Sequence, residues 1–217
     1  KEVFAERPRR SVTGPDGARN EFLRARTLRS AQLGEVISAR EEFAERAVNG
    51  DLPHWYAYIV TASQMVAPIK AIAHDGGTPD VRPLSMGNVE QRAWATSIAR
   101  GAKTIFGDKL APMQVAVGVP GGLSVMIFGA RELLEAHPDF VIVKIDAYNA
   151  YNEQSRDETL RRLDADDDLC VYANYFHTFY SPFSPIFLGD ARAPFEQWEG
   201  GRQGDPFYAS CFCWSLH

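Results

Sequence analysis

Apolar residues recur at helical spacing in several stretches of the chain. Residues 21–48 alternate apolar side chains with Arg and Glu, which predicts an amphipathic helix, and Asn49-Gly50 predicts its end because both residues tolerate the left-handed backbone of a C-terminal cap. Residues 89–106 repeat this spacing, and so do residues 123–134 after a Gly/Pro turn. Ser155 and the Glu three residues later indicate the start of a further helix.

Strand patterns lie between these predicted helices. The clearest is "VIVKID" at residues 141–146, an apolar run that predicts a buried strand over about 140–146. Residues 55–77 mix aromatic and β-branched side chains, which favours strand structure there. "VRPLSMGN" predicts a short strand that leads to Asn88, a good helix N-cap, with Gln91 as its capping-box partner.

The C-terminal part predicts a mixture of elements. Residues 169–180 are predicted to be helical, and residues 185–217 to form two short strands, a Gly-Gly turn and a helix that starts near Pro206. The whole pattern predicts an α/β (α+β) fold. The acidic stretch "DADDDL" could suggest a metal site, but no calcium-loop spacing surrounds it, so we interpret it as a solvated loop.

Composition limits the classes of protein that this chain can belong to. Its 217 residues are 45% hydrophobic and 24% charged, which is typical of a globular protein, and no apolar run approaches the ~18 residues of a membrane span. The net charge of −5 gives no overall attraction for nucleic acid, although a local basic groove can coexist with acidic outer faces. The three cysteines lack metal-ligand spacing and favour reduced thiols in an intracellular, reducing compartment.

Two segments raise a functional question together. The strand pattern ends on Asp146, with Ala150 and Tyr151 four and five positions later, and "GGRQGDP" opens the last helix at residues 200–206. This pair resembles the first and second palm motifs of reverse transcriptases, RNA-directed DNA polymerases of the retrotransposon and group II-like classes. "VRPLSMGNVEQRAWATSIAR" is similar to the family's fingers segment, and "PMQVAVGVPGG" stands at the connection before the palm helix. The four segments cover roughly residues 66–217 in the family's order.

The resemblance implies a role for residues of the palm. Asp146 would be a catalytic ligand of Mg²⁺, with the main-chain carbonyl of Ala147 as a second contact, because two-metal phosphoryl transfer needs oxygen ligands at the edge of a rigid strand. Tyr151 would lie beneath the incoming sugar and exclude a 2′-hydroxyl. Gln203 and Gly204 would pack on the template and the nascent base pair.

The resemblance also implies contacts from the fingers. Arg82 would clamp the triphosphate of an incoming deoxynucleotide, and Lys70 is a weaker candidate for the accompanying lysine. The expected organisation is an N-terminal helical region (1–65), a fingers-like region (66–138) and a partial palm (139–217). A helical fingers-like region would thus lead into part of a polymerase palm sheet, and the partners would be a nucleic acid template-primer and deoxynucleotides.

Two hypotheses follow from what the resemblance does not cover. The family's third palm motif, aromatic-x-Asp-Asp, and its thumb would follow "GGRQGDP", but the chain ends at His217. One carboxylate cannot hold two magnesium ions, so we expect these residues alone not to extend a primer. The chain is either the fingers and partial palm of a reverse transcriptase, or a retrotransposon-derived, non-catalytic structural subunit whose partners are other protein subunits of a larger assembly.

Overall fold

The computed structural model describes residues 12–23, 33–71, 80–81, 83–181, 183–189 and 193–217. Its helices are α1 (Leu33–Val48), α2 (His54–Thr61), α3 (Val89–Leu110), α4 (Gly122–Ala136), α5 (Ala150–Glu153), α6 (Arg156–Asp164), α7 (Ala173–Tyr180) and α8 (Tyr208–Leu216), with a 3₁₀ turn at Cys170–Tyr172. Its strands are β1 (Ser63–Val66), β2 (Ile69–Ala71), β3 (Asp80–Val81), β4 (Leu84–Gly87), β5 (Ser184–Leu188) and β6 (Phe195–Gln197). The fold is therefore α/β, as the pattern predicts.

The larger sheet is mixed and has the strand order β4-β1-β5-β6. β1 pairs with β4 antiparallel and with β5 parallel, so that Ser63 lies between Gly87 and Ile186. β6 pairs with β5 antiparallel and closes the order at the other side. Strands β2 and β3 form a separate antiparallel pair. In the larger sheet, β1 separates the strand before α3 from the two strands that precede "GGRQGDP".

Helix α3 supplies one wall of the core. Ala95, Ile98 and Ala102 are buried at the helical spacing that the sequence shows, and they belong to the same core cluster as residues of α7 and α8. The rings of Phe106 and Phe207 meet edge to face with centroids 6.3 Å apart. The core is rich in aromatic side chains. Its fully buried rings include Phe106, Tyr175, Phe176, Phe179, Tyr180, Phe207 and Tyr208.

Several predicted boundaries are confirmed. Helix α1 ends at Val48, and Gly50 follows with a φ of 74°. Helix α4 begins directly after the Gly/Pro turn, and α8 begins two residues after Pro206. The Ser155 hydroxyl accepts a hydrogen bond from the backbone N–H of Glu158 at 3.2 Å, as the start signal of α6 predicts.

Two predictions of secondary structure are wrong. Residues 54–61 form helix α2 instead of a strand, and strand structure begins only at Ser63. Residues 140–146 form neither a strand nor a helix, although their pattern predicts a buried strand. A strand needs a neighbour for its backbone N–H and C=O groups. Within the described part of the chain, this segment pairs with none, and Val141 and Ile145 are 83% and 87% exposed.

Helix α4 and the segment after it form an exposed apolar surface. The helix has the predicted apolar residues, but only Gly122 is buried. The exposed apolar surface consists of Leu123, Val125, Met126, Ile127, Phe128, Leu133, Phe140, Val141, Ile142, Val143 and Ile145. Among the described residues, no helix is both long enough and apolar enough to cross a membrane.

Candidate functional site

The "GGRQGDP" segment is held by its first two glycines against the residues that follow Asp146. Gly200 donates its N–H to the carbonyl of Gln154 at 2.8 Å, and Gly201 donates to the carbonyl of Tyr151 at 3.0 Å. A Cβ atom on Gly200 would lie 2.1 Å from the Asn152 carbonyl oxygen, and Gly200 also has a φ of 64°. The close approach of the two backbones requires glycine here. It places the two palm-like segments in direct contact.

Asp205 fixes the start of α8. One of its carboxylate oxygens accepts hydrogen bonds from the backbone N–H groups of Phe207 at 2.9 Å and of Tyr208 at 3.2 Å. An aspartate before the first turn of a helix commonly satisfies N–H groups that lack partners within the helix. The turn is thereby joined to α8.

The second Asp205 oxygen faces side chains from other elements. It accepts a hydrogen bond from the Gln91 amide at 2.8 Å and one from the Tyr180 hydroxyl. Burial, together with the negative charge of Asp205, raises the pKa of Tyr180 well above 10.0, so the phenol stays protonated and can donate. Gln91 also donates to the Tyr175 hydroxyl at 3.0 Å. We call Asp205, Gln91, Tyr180 and the neighbouring Arg202 the Asp205 network.

Two buried arginines, Arg202 and Arg156, contact other residues of the network. Arg202 is 2% exposed and donates to the Thr61 carbonyl at 2.7 Å, and its guanidinium lies 4.9 Å from the centre of the Tyr180 ring. It forms a long ion pair with Asp205, with Nη2 to Oδ2 at 3.9 Å. Arg156 donates to the Gly200 carbonyl at 2.8 Å and to the Tyr180 carbonyl at 3.1 Å. Burial is the main cause that lowers the pKa of Arg156 to about 10, which still leaves it charged at neutral pH.

The network presents the predicted turn residues at the surface. Gln203 is half-buried and Gly204 is exposed, with a φ of 117° that L-amino acids other than glycine rarely adopt. A Cβ atom on Gly204 would lie 3.6 Å from the carbonyl oxygen of Ser85 in β4. The turn therefore lies beside the strand that belongs to the predicted fingers-like segment.

Tyr151 belongs to the same unit, because its carbonyl accepts from Gly201. Its ring is half-buried and contacts Tyr208 and Phe212 of α8 at centroid distances of 5.3 and 5.2 Å. Burial is the main cause that raises the pKa of Tyr151. The structure thus brings Tyr151 together with the segment that carries Gln203 and Gly204.

Asp146 and Ala147 share no hydrogen bond or ion pair with this unit. Asp146 and Ala147 are exposed in the segment between α4 and α5, and Asp146 takes no part in the Asp205 network. Their roles in metal binding remain predictions. Lys70 lies in β2, but its side chain falls outside the described residues, as does the whole of Arg82.

No metal site is assembled in the described part of the chain. It contains no group of three His, Cys, Asp or Glu side chains arranged to hold a metal ion. In the acidic loop, Asp166 and Asp168 instead accept from Lys109 at 2.8 and 2.9 Å, which agrees with its interpretation as a loop. The three cysteines are free thiols.

Sequence reasoning missed most of the Asp205 network. Gln91 is expected to be a capping-box residue, and that prediction is wrong: Asn88 itself accepts from the Glu90 N–H at 2.8 Å, and Gln91 points inward to Asp205. One signal was available in the sequence. Asp205 stands just before the predicted helix, between a glycine and a proline, and an aspartate at such a helix start commonly accepts from backbone N–H groups.

Comparison with known proteins adds no assignment. Neither the protein-family models nor the curated proteins that were searched match this chain.

Proposed function

We propose that this chain is a fingers and partial-palm unit of reverse-transcriptase type, whose ligands are a template-primer duplex and deoxynucleotides. The observation that carries the proposal is the meeting of three motif segments that lie far apart in the sequence. Gln91 of the fingers-like segment bonds Asp205 of "GGRQGDP", and Gly201 of that turn bonds Tyr151 of the first palm-like motif. This meeting supports the proposal, because a shared nucleotide site needs these segments to lie side by side.

The geometry supports binding of a base pair more directly than catalysis. The Gln203–Gly204 turn combines a flat glycine surface with a half-buried amide side chain, and a backbone without a Cβ allows close approach of a ligand. The Tyr151 ring packs on α8, the helix that follows the turn. In this proposal, the turn contacts the template and nascent pair, and Tyr151 lies below the sugar.

The described residues do not fit the two magnesium ions that the resemblance implies. Asp146 brings one negative charge, whereas two Mg²⁺ ions bring four positive charges, and the triphosphate cannot position both ions by itself. No catalytic step is therefore derived for these residues. Loss of a single well-placed electrostatic group commonly costs about 10²–10³ in rate, and the described residues assemble no carboxylate cluster that could hold the ions.

A second candidate function is favoured by the exposed apolar surface. Val143 and Ile145 are 76% and 87% exposed, and they adjoin an apolar helix with Phe128 61% exposed. Exposed apolar side chains in such number often mark contacts with other proteins. This observation fits a non-catalytic structural subunit of a larger assembly.

Binding and extension assays test the two candidates. We expect the 217-residue chain to bind a labelled RNA–DNA template-primer in fluorescence anisotropy, and Gln203→Ala to weaken binding while Thr104→Ala, a control at an exposed position of α3, does not. With magnesium and deoxynucleotides, the chain alone should show no extension. A product of the same gene that continues past His217 should extend the primer, and Asp146→Asn should abolish extension.

The opposite results are equally informative. If the chain does not bind the duplex and the longer product stays silent, the polymerase reading is wrong and the structural candidate remains. Asp146-dependent synthesis by the 217-residue chain would overturn the argument that the carboxylate set is incomplete.

A further inference from the structure

The carboxylate of Asp205 joins three parts of the chain. Asp205 is 5% exposed and accepts four hydrogen bonds, two from the backbone N–H groups of Phe207 and Tyr208 at the start of α8 and two from the side chains of Gln91 and Tyr180. Gln91 lies in the first turn of α3, directly after the fingers-like strand β4, and Tyr180 ends α7. One buried group therefore ties the turn before α8 to two separate helices.

We propose that Asp205 and Gln91 are positioning residues that hold the Gln203–Gly204 turn against β4 in the shape that contacts a template-primer duplex. This inference rests on the proposed function, because the ligand is the one proposed there. The turn needs external support, since Gly204 has no side chain to pack and glycine loses more backbone freedom on ordering than any other residue.

A neutral residue in place of Asp205 would leave the Arg202 charge without a counter-charge in the network. Arg202 is buried beside it, and its Nε and Nη2 atoms have no hydrogen-bond partner among the described residues. The Asp205 carboxylate, 3.9 Å from Nη2, is the anion nearest to this cation in the network. Removing one partner of a buried ion pair leaves an uncompensated charge, which is strongly unfavourable.

The hydrogen-bond directions allow a reciprocal exchange. In Asp205→Asn, an NH₂ group can face the NH₂ group of Gln91, so two donors oppose each other. In Gln91→Glu, two carboxylates oppose each other. The double variant Gln91→Glu/Asp205→Asn restores one donor and one acceptor between positions 91 and 205, keeps one negative charge in the network and lets Tyr175 donate to Glu. The Tyr180 hydroxyl, which donates to the same Asp205 oxygen in the wild type, must then turn to accept from the new amide. A residue that only fills space would show no such reciprocity.

The experiment measures the turn and the ligand separately. Backbone hydrogen exchange over residues 202–206 reports the order of the turn, and anisotropy with an RNA–DNA duplex reports affinity, both well below the melting temperature of every variant. We expect Asp205→Asn to speed exchange and to weaken duplex binding about tenfold each, the factor that corresponds to one hydrogen bond to a charged group. Asp108→Asn, an exposed change of the same charge on α3, should alter neither. The double variant should recover at least half of each loss on a logarithmic scale.

Each outcome decides one of the claims. Unchanged hydrogen exchange in Asp205→Asn overturns the positioning role, and so does faster exchange with unchanged duplex affinity. A double variant that recovers neither slow exchange nor affinity relative to the two single variants also overturns it. If the wild-type chain does not bind the duplex, the proposed function fails, and the exchange data still decide whether Gln91 and Asp205 hold the turn. If Asp205→Asn does not fold, Tyr180→Phe removes one donor to the same oxygen and should show the same pattern with a smaller amplitude.

Discussion

Gly201 offers a sharp test of how closely the turn packs on α8. A Cβ atom at this position would lie 1.9, 2.2 and 2.4 Å from three ring atoms of Tyr208, all far inside van der Waals contact. Tyr208 is fully buried and its ring meets Tyr180 at 4.9 Å and Tyr151 at 5.3 Å. The ring cannot move aside without displacing its neighbours. We therefore expect Gly201→Ala to lower the free energy of unfolding by about 1–3 kcal/mol, the usual cost of overpacking a core.

Gly101→Ala is the matched control for this substitution. Gly101 lies in the exposed middle of α3, and a Cβ atom there would meet nothing within 4 Å. Alanine is favoured over glycine inside a helix by roughly 0.8–1.0 kcal/mol, so this variant should be more stable than wild type. Urea unfolding followed by circular dichroism compares both variants at equal protein concentration. A Gly201→Ala midpoint equal to or above wild type would refute the packing argument, because no reorientation of Tyr208 could then be costly.

Three further outcomes are expected. Ser155→Ala removes the cap of α6 and should lower the free energy of unfolding by about 1 kcal/mol in the same urea assay. Hydrogen bonds, mainly from Arg161, lower the pKa of Glu158 in the folded state from 4.5 to about 2. The stabilisation by Glu158 is therefore complete above pH 4.5 and is lost as the pH falls towards 2. Glu158→Gln should flatten the pH dependence of the free energy of unfolding in this window. A maleimide should label the exposed Cys170 of the folded chain within minutes and Cys211 only after unfolding, because burial raises the pKa of the Cys211 thiol. Equal labelling rates of the two cysteines would contradict the burial of Cys211.

Local signals account for the elements that the sequence predicts well. Asn49-Gly50 sets the C-terminal end of α1, and Ser155 sets the N-terminal end of α6. These residues act on their own backbone neighbours. The buried face of α3 follows from spacing alone, since Ala95, Ile98 and Ala102 recur on one side of the helix. Such signals need no knowledge of distant residues, so the α/β class and most helices can be predicted.

Prediction from the sequence fails for features that depend on packing against distant residues. The apolar run at residues 140–146 has the composition of a buried strand, but composition cannot provide a neighbouring strand, and within the described residues none pairs with it. Helix α2 shows the reverse effect. Its aromatic and β-branched residues favour a strand locally, yet Ala57, Val60 and Thr61 are buried on one helical face, because packing overrides intrinsic preference.

The candidate site combines residues that a local motif identifies with residues that only the folded chain brings together. Only the motif residues could be named from the sequence. Gln203, Gly204 and Tyr151 are recognisable as a pattern, since each stands at a fixed spacing within a short motif. Gln91 and Asp205 lie 114 positions apart, and neither spacing nor composition links them, although their side chains meet at 2.8 Å in the core. A sequence motif therefore identifies the residues that would face a ligand, whereas the buried groups that hold them in place emerge only when the chain is folded. For this chain the buried pair gives the stronger test, because reversing its hydrogen bond changes no exposed atom of the turn.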